Sequence, residues 1–297
     1  MSAQSNLSAF GSGYSVLLSV YHKDKPEYLR DAIDSMLSQT MRPNEIVIVY
    51  DGPVPASIKD AVHTAESESD IPFVVIQLEK NLGLGGALSI GLKECRSPYI
   101  ARMDADDISR RDRCELEYTL MVQDGLDLIG GWIEEFIDGP GDIGMTRETP
   151  TSMEEMNRYL KLRNPFNHVS VMLNKDSVIS VGNYQPFLYV EDYWLWVRMI
   201  SAGMKCVNIP RVLVDVRVGN GMYARRGGRR FIASQVKLLK EMYKLDLLGS
   251  VDFCIGVLVR VVGSLVPVGV RTYIYQHFLR TDSNTDNYSA KDNNENR

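Results

Sequence analysis

The sequence has few of the residues that build most metal and redox sites. Its 297 residues include four histidines and four cysteines, and the cysteines follow no zinc-like or redox spacing. We therefore expect Cys95, Cys114, Cys206 and Cys254 to be buried, reduced thiols of a cytosolic protein. Residues 1–13, MSAQSNLSAFGSG, have neither a basic start nor an apolar centre, which predicts a flexible N-terminus rather than a signal peptide.

Long apolar runs and common nucleotide-binding signatures are also scarce. No GxGxxG turn follows the first predicted strand, and the glycine-rich segment 81–92 is not a P-loop. The apolar run 253–270 approaches the length of a membrane span, but Arg260 lies in its middle and Pro267 interrupts it. An arginine at mid-membrane costs about 2.5–3.5 kcal/mol on insertion scales. We therefore predict helices that lie on a membrane face or dock on the protein.

Charge is divided unevenly along the chain. The protein carries a net charge of −5, yet residues 217–280 contain eleven Lys and Arg against three Asp and Glu, so the preceding residues are strongly acidic. The acidic body excludes a typical nucleic-acid binder as the function class. The basic C-terminal segment favours contact with an anionic membrane surface. The tail 281–297 is polar and rich in Asn and Asp, which predicts disorder.

The first half of the chain predicts a parallel sheet. Apolar runs of strand type occupy 14–20, 45–50, 73–78 and 99–103. Helices are predicted from Pro26, with Asp24 and Glu27 as a capping box, and at 56–66 and 87–95. Such sheets bind ligands beyond the carboxyl ends of their strands, where the strand order reverses. The order 3-2-1-4 would bring Ser19 and Tyr21 beside Asp104 and Asp106.

After residue 125 the pattern predicts shorter elements. Strands are expected near 127–137, 169–174, 205–209 and 212–217, and helices near 152–162, from Glu191 to Gly203 and at 231–247.

Three carboxylates, Asp104, Asp106 and Asp107, directly follow the fourth strand. Neighbouring acids repel and desolvate one another, and a divalent cation with a diphosphate is the usual compensation. The alternative is that Asp106 or Asp107 caps a helix beginning near Ser109. A cap explains one acid but not three, so we favour a metal–nucleotide site.

A second acid pair, Glu191 and Asp192, begins an aromatic-rich helix. The helix dipole keeps such a carboxylate ionised, and an ionised carboxylate in a cleft can accept a proton from a sugar hydroxyl. Trp194 and Trp196 are candidates for a stacking platform. The alternatives, acids placed only for the dipole and tryptophans placed in the core, explain these residues equally well.

Two further signals are weaker. Asp51 ends the second strand and is suited to bind a base or ribose, although turn chemistry explains it as well. The segment MYARRGGRR, 222–230, suits a mobile loop over a diphosphate, and a solvated or membrane-facing basic run is an equal alternative.

Four segments resemble, in order, an inverting family-2 glycosyltransferase of the kind that assembles bacterial surface polysaccharide. They are VLLSVYHKDKPEYLRDAIDSMLSQT with EIVIVYDGP, YIARMDADD, NPFNHVSVMLNK and EDYWLWVRM, within roughly 14–217. The resemblance implies the α/β GT-A fold, a mixed and mostly parallel sheet flanked by helices. It also implies a nucleotide-binding half at 14–125, an acceptor half at 126–217 and a C-terminal extension of a basic loop and amphipathic helices at 218–280.

The resemblance implies roles for individual residues. On the donor side, the residues that resemble nucleoside-binding positions are Ser19, Tyr21 and Asp51. Asp104 and Asp106 resemble the family's acid pair, the first near the ribose and the second on Mn²⁺ or Mg²⁺. Many relatives carry Arg-Asn in the helix after the glycine turn, where this chain has Leu88 and Ser89. Arg102 is the candidate for supplying the missing donor contact.

On the acceptor side, Asp192 resembles the catalytic base. Glu191, His168, Asn167 and Trp194 are expected to line the acceptor. Arg225 and Arg226 are expected to belong to a loop over the diphosphate.

The resemblance implies metal-dependent, inverting transfer from a nucleotide-diphosphate sugar, with UDP favoured, to a glycan acceptor that is expected to be lipid-linked. The expected location is the inner face of the cytoplasmic membrane. A sugar-nucleotide pyrophosphorylase is the alternative enzyme, but it would carry a glycine-rich basic loop where this chain has HKDKPEY. A non-catalytic membrane scaffold is the other alternative, and the acids at 104–106 and 191–192 argue against it.

Overall fold

A computed structural model describes residues 13–219, 228–265 and 281–282, and its first half is built on four parallel strands. These are β1 (Tyr14–Val20), β2 (Glu45–Tyr50), β3 (Phe73–Gln77) and β4 (Tyr99–Met103). Strand β1 pairs with β2 and β4, and β2 pairs with β3, all in parallel. The predicted order 3-2-1-4 is therefore confirmed, and the carboxyl ends of β1 and β4 meet at one edge.

Four helices connect and flank these strands: α1 (Pro26–Leu37), α2 (Ala56–Ser67), α3 (Leu84–Glu94) and α4 (Arg113–Asp124). The predicted capping box at α1 is wrong. Lys25 is the N-cap residue and makes no side-chain cap bond, whereas Asp24 Oδ2 accepts a hydrogen bond of 2.9 Å from the backbone of Tyr21. The aspartate therefore closes the turn after β1. Helix α3 begins three residues before its predicted start.

The second half extends the sheet with antiparallel and mixed pairings. Its strands are β5 (Ile108–Ser109), β6 (Leu128–Phe136), β7 (Met145–Arg147), β8 (Met172–Asn174), β9 (Cys206–Arg217) and β10 (Thr281–Asp282). Strand β8 joins β4 to β6, and β9 pairs with both β6 and β5. The two short strands predicted at 205–217 are one continuous strand. The first two residues of the predicted disordered tail pair with β7.

The remaining helices of this half are α5 (Met153–Leu160), α6 (Lys175–Ser180), α7 (Glu191–Ser201) and a 3₁₀ turn (His168–Ser170). Two apolar clusters pack on opposite faces of the sheet because side chains alternate along each strand. Leu17 of β1 belongs to the cluster that includes α3 and α7, whereas Val16 and Leu18 belong to the cluster under α1, α2 and α4. Each fully buried side chain of this size contributes about 1.5–3 kcal/mol.

A helical pair follows the sheet, α8 (Arg229–Lys244) and α9 (Ser250–Leu265). Helix α8 buries Leu238, Leu239 and Met242 in the same cluster as α7. None of the helices in the described residues has the length and apolarity needed to cross a bilayer. Cys254 on α9 is exposed, so the prediction of four buried thiols holds for only three.

Candidate active site

The carboxyl end of β4 leads into an acid turn, residues 104–107. Asp104 and Asp106 are half-buried, and Asp107 is buried. Strand β5 follows directly and α4 begins only at Arg113, so the predicted helix near Ser109, with Asp106 or Asp107 as its cap, is wrong. Two of the three acids therefore remain at the solvent-accessible edge where the strand order reverses.

Arg102 connects this turn to the second acid pair. Its side chain is 2% exposed and forms an ion pair with Asp104 through Nη2. Its positive charge lowers the pKa of both Glu191 and Asp192. The charge of Arg102 therefore acts on acids at both places, the end of β4 and the start of α7. Its Nε and Nη1 groups are buried without a hydrogen-bond partner, so Arg102 retains two donors near both acid pairs.

Glu191 and Asp192 form the first turn of α7 and are partly buried. Burial raises the pKa of Asp192. The backbone N–H of Tyr193, the Asn164 amide and the charge of Arg102 each lower it, but by less. Burial and the neighbouring charge of Asp192 raise the pKa of Glu191 to about 7. Burial therefore favours the protonated form of both carboxyl groups, and the donors around Asp192 oppose that effect at its own carboxylate.

Asn164 orients Asp192, although sequence reasoning did not select Asn164 as a site residue. Its Nδ2 donates to Asp192 Oδ2 at 2.7 Å, and its own Oδ1 accepts from the backbone of Phe166 at 3.2 Å. Arg147 Nη2 donates to the backbone carbonyl of Asn164 at 3.0 Å. The amide is thus held with its donor face toward the carboxylate. Only its place in NPFNHVS pointed to it, and that segment drew attention to Asn167 and His168 instead.

Asn167 is buried and His168 is half-buried, and both make hydrogen bonds to other parts of the chain. His168 Nε2 is 2.9 Å from the hydroxyl of Tyr184, and burial together with the charge of Arg102 lowers the pKa of His168 well below its usual value. Asn167 is 1% exposed and donates to the carbonyl of Gly131 at 2.8 Å. The place of both residues on the acceptor side stays a prediction, and Tyr184, which sequence reasoning missed, is the hydrogen-bond partner of His168.

The two tryptophans of α7 have different environments. Trp194 is half-buried and its Nε1 donates to Gln185 at 2.9 Å. Trp196 is fully buried against the rings of Phe166 and His168. The core alternative is therefore correct for Trp196, which is not available as a stacking platform.

The donor-side residues lie at the ends of β1 and β2. Ser19 and Tyr21 are partly exposed near the carboxyl end of β1. Asp51 is 4% exposed, and its Oδ1 accepts a hydrogen bond of 2.6 Å from the backbone of Leu82. One of its carboxylate oxygens thus fixes the glycine turn that precedes α3, 31 positions along the chain, and its role toward a base or ribose stays a prediction.

That glycine turn touches the acceptor-side acids. A Cβ at Gly85 would lie 3.0 Å from Cβ of Glu191 and 3.1 Å from the carbonyl of Gln185. Contacts that short require a neighbour to move, so the absence of a side chain at position 85 lets α3 approach α7. The glycine is explained by this close approach without a phosphate. Arg225 and Arg226 lie outside the described residues.

Comparison with known proteins identifies the chain. The family model described as "Glycosyl transferase family 2" matches residues 15–182, more than half of the sequence. The chain belongs to this family. Family 2 membership makes the protein a glycosyltransferase and confirms the resemblance seen in the four sequence segments.

Named relatives agree with this placement. The chain is 40% identical over 263 residues to the amylovoran biosynthesis glycosyltransferase AmsE of Erwinia amylovora, covering 89% of this chain and 98% of that protein. It is 35% identical over 268 residues to the UDP-Gal:alpha-D-GlcNAc-diphosphoundecaprenol beta-1,3-galactosyltransferase of Escherichia coli, covering 90% of this chain and 96% of that protein.

Solved structures share the fold. The mannosyltransferase PcManGT of Pyrobaculum calidifontis, in complex with GDP-Man and Mn²⁺, superposes with a TM-score of 0.61 at 12% identity, covering 86% of this chain and 77% of that chain. This likeness concerns the fold alone. The predicted GT-A fold of this family 2 glycosyltransferase is confirmed.

Proposed function

We propose that this glycosyltransferase moves a sugar from a UDP-sugar to a lipid-linked glycan acceptor, with inversion, during synthesis of a bacterial surface polysaccharide. The names of two relatives support this class of reaction, since one makes amylovoran and the other uses UDP-Gal and a diphosphoundecaprenol acceptor. The observation that carries the proposal is the arrangement around Arg102. One buried guanidinium forms an ion pair with Asp104, the proposed donor-side acid, and its charge acts on Glu191 and Asp192, the proposed acceptor-side acids.

The residues at the acid turn fit Mn²⁺ or Mg²⁺ as a cofactor held together with substrate phosphates. Such cations are bound through one or two carboxylates plus phosphate oxygens. Among the described residues, no group of three or more His, Cys, Asp or Glu side chains could enclose a metal ion by itself. Burial, followed by the charges of Asp106 and Asp104, raises the pKa of Asp107, so a cation at this turn would offset repulsion among the acids. Asp106 and Asp104 would hold the ion.

The chain's own residues supply the remaining steps of a single displacement. Asp192, oriented by Asn164, takes the proton of the acceptor hydroxyl while the hydroxyl oxygen attacks the anomeric carbon of the donor sugar. The attack comes from the face opposite the departing nucleoside diphosphate, so configuration inverts and no covalent sugar–enzyme intermediate forms. When bound, the cation neutralises charge that develops on the diphosphate. Arg102 stabilises negative charge between the donor and acceptor acids.

A panel of nucleotide sugars tests the proposal. The protein is incubated with Mn²⁺, each UDP-, GDP- and dTDP-sugar in turn and a polyprenyl-diphosphate-linked acceptor. We expect UDP release that requires the acceptor, together with a product whose new linkage has the opposite anomeric configuration. Pyrophosphate-dependent formation of nucleoside triphosphate would instead support the pyrophosphorylase alternative. Absence of turnover with every donor would favour the scaffold.

We also propose that α9 faces the inner surface of the cytoplasmic membrane. Five of its apolar side chains lie on one helical face and are 53–71% exposed: Val251, Ile255, Leu258, Val259 and Val262. We call this face the α9 stripe. Lys237, Lys240 and Lys244 on α8 are exposed, and each such cation near an anionic bilayer contributes about 1 kcal/mol. The combination suits a helix lying in a lipid interface and brings the enzyme to a lipid-linked acceptor.

Vesicle flotation tests this placement. We expect the full chain to float with vesicles that contain an anionic phospholipid and to lose at least half of its bound fraction when Ile255, Leu258 and Val259 are all replaced by serine. The matched control replaces three exposed apolar residues elsewhere, Val75, Val122 and Ile179, with serine. Equal flotation of the stripe variant and the control would contradict membrane contact through α9.

A further inference from the structure

We propose that Arg217, the last residue of β9, is a positioning residue that holds the acid turn in the conformation that binds metal and diphosphate. The inference rests on the proposed function, because it concerns how Asp104 and Asp106 are presented to the donor. Nothing in the sequence pattern marks Arg217, since the residue lies more than 100 positions from the turn. Its contacts in the folded chain single it out.

The Arg217 guanidinium is held in one place by two aromatic rings. Its Cζ atom lies 3.8 Å from the ring centroid of Tyr28 and 4.5 Å from that of Phe136. The side chain is only 7% exposed, and its Nη2 donates to Asp31 on α1 at 3.3 Å. Stacking on two rings fixes a planar guanidinium in a way that an ammonium group cannot reproduce. The arginine is therefore a rigid anchor that joins α1, β6 and β9.

This anchor binds two consecutive residues of the acid turn. Arg217 Nε donates to the backbone carbonyl of Asp106 at 3.1 Å, and the Arg217 backbone N–H donates to Asp107 Oδ1 at 2.8 Å. The first bond fixes the peptide that follows Asp106. The second turns the Asp107 carboxylate inward, away from the edge where Asp104 and Asp106 lie. The turn thereby presents two acids at the edge instead of three.

The physical consequence is preorganisation. The folded chain orders the peptide that follows Asp106 before the donor arrives, so this conformational entropy is not lost during binding. Without the guanidinium, that peptide would have to be ordered during binding, whereas the bond from the Arg217 backbone N–H to Asp107 would remain. We expect removal of the anchor to weaken metal-dependent nucleotide binding about 10-fold, since ordering one residue during binding costs roughly one factor of ten.

The alternative is that Arg217 only stabilises the fold, and two substitutions separate these roles. Arg217→Lys keeps the positive charge but loses the planar stacked group, and Arg217→Met loses both. The matched control is Arg211→Met on the same strand. Arg211 is 54% exposed, pairs with Asp112 at 2.7 Å and makes no hydrogen bond or ion pair with the acid turn. All three variants change one arginine of β9.

The experiment is calorimetric titration of UDP into each full-length protein, with Mn²⁺ and separately with EDTA, alongside thermal melting without metal. We expect about 10-fold weaker Mn²⁺-dependent UDP binding for both Arg217 variants and unchanged binding for Arg211→Met. If Arg217→Met fails to fold, Arg217→Lys decides the question alone. Wild-type protein that binds UDP equally in Mn²⁺ and EDTA would refute the metal-dependent site itself. Wild-type binding that requires Mn²⁺ and survives in both Arg217 variants would overturn this inference only.

A second readout excludes a general stability effect. A displaced acid turn should raise KM for the UDP-sugar and the Mn²⁺ concentration needed for half-maximal rate, while KM for the acceptor stays near its wild-type value. A purely structural arginine would lower the amount of folded enzyme and leave all three constants unchanged, and that result would also overturn the inference.

Discussion

Asp192→Asn should lower turnover by about 10²–10⁴-fold and leave nucleotide binding nearly unchanged. Asparagine has the size of aspartate but cannot accept the proton of the acceptor hydroxyl. In the wild-type protein, Asn164 Nδ2 donates to the Asp192 carboxylate at 2.7 Å. The substitution places an amide instead of a carboxylate against this donor. The loss should therefore appear in kcat, because the acid turn that holds the donor is untouched. Initial rates with saturating donor and acceptor, together with calorimetric UDP binding, provide the measurement.

Asn164→Ala is the informative companion to this variant. The amide of Asn164 lowers the pKa of Asp192, so its removal should raise that pKa. The base is active when ionised, so the acid limb of the kcat–pH profile should move to higher pH, with smaller losses at alkaline pH. Asn157→Ala is the matched control, because Asn157 is an exposed asparagine of α5, and its profile should match that of the wild-type protein. Wild-type turnover in Asp192→Asn would reject Asp192 as the base.

Asp106→Ala should abolish the metal dependence of nucleotide binding. Changes to groups that merely support metal ligands cost about 10–100-fold in affinity, so loss of a ligand should weaken Mn²⁺-dependent UDP binding by more than about 100-fold. Arg102 already neutralises Asp104, and Asp107 is turned toward the Arg217 backbone. Neither acid can simply replace Asp106. Calorimetric titrations with Mn²⁺ and with EDTA should therefore become indistinguishable in this variant.

The control for this prediction is Asp112→Ala, which removes an acid near the turn that pairs instead with Arg211. Its metal-dependent binding should match the wild-type protein. A persistent difference between Mn²⁺ and EDTA in Asp106→Ala would show that the cation is held elsewhere.

Sequence patterns predicted those parts of the fold that depend on local periodicity. The four buried strands and their order followed from apolar runs of strand length separated by helices, and β1 through β4 confirm it. The position of the acid turn in the sequence was also predictable, because three acids after a buried run are unusual. The conformation of the turn was not predictable. Strand β5 forms only by pairing with β9, about 100 residues away, so the local pattern favoured a helix near Ser109.

The supporting residues of the site could not be selected from spacing. Asn164 reaches Asp192 across 28 positions, and Arg217 reaches Asp106 across 111. Both are ordinary polar residues until the chain folds. Asn167 and His168 were selected because they occur in a motif, but their hydrogen bonds to Gly131 and Tyr184 could be seen only in the folded chain. The motif thus predicted which part of the chain belongs to the site, whereas only the folded structure shows which partners each side chain contacts.

The contact between Gly85 and Glu191 has a practical consequence for altering this enzyme. Helix α3 rests against the first turn of α7 with no side chain between them. A loop exchange at 185–190, which includes the Gln185 carbonyl beside Gly85, would therefore also shift α3 and the glycine turn that Asp51 holds. In such chimeras the preference for the donor and the preference for the acceptor are expected to change together. Changing one preference alone would require that the contact between Gly85 and the Glu191 side chain stay intact.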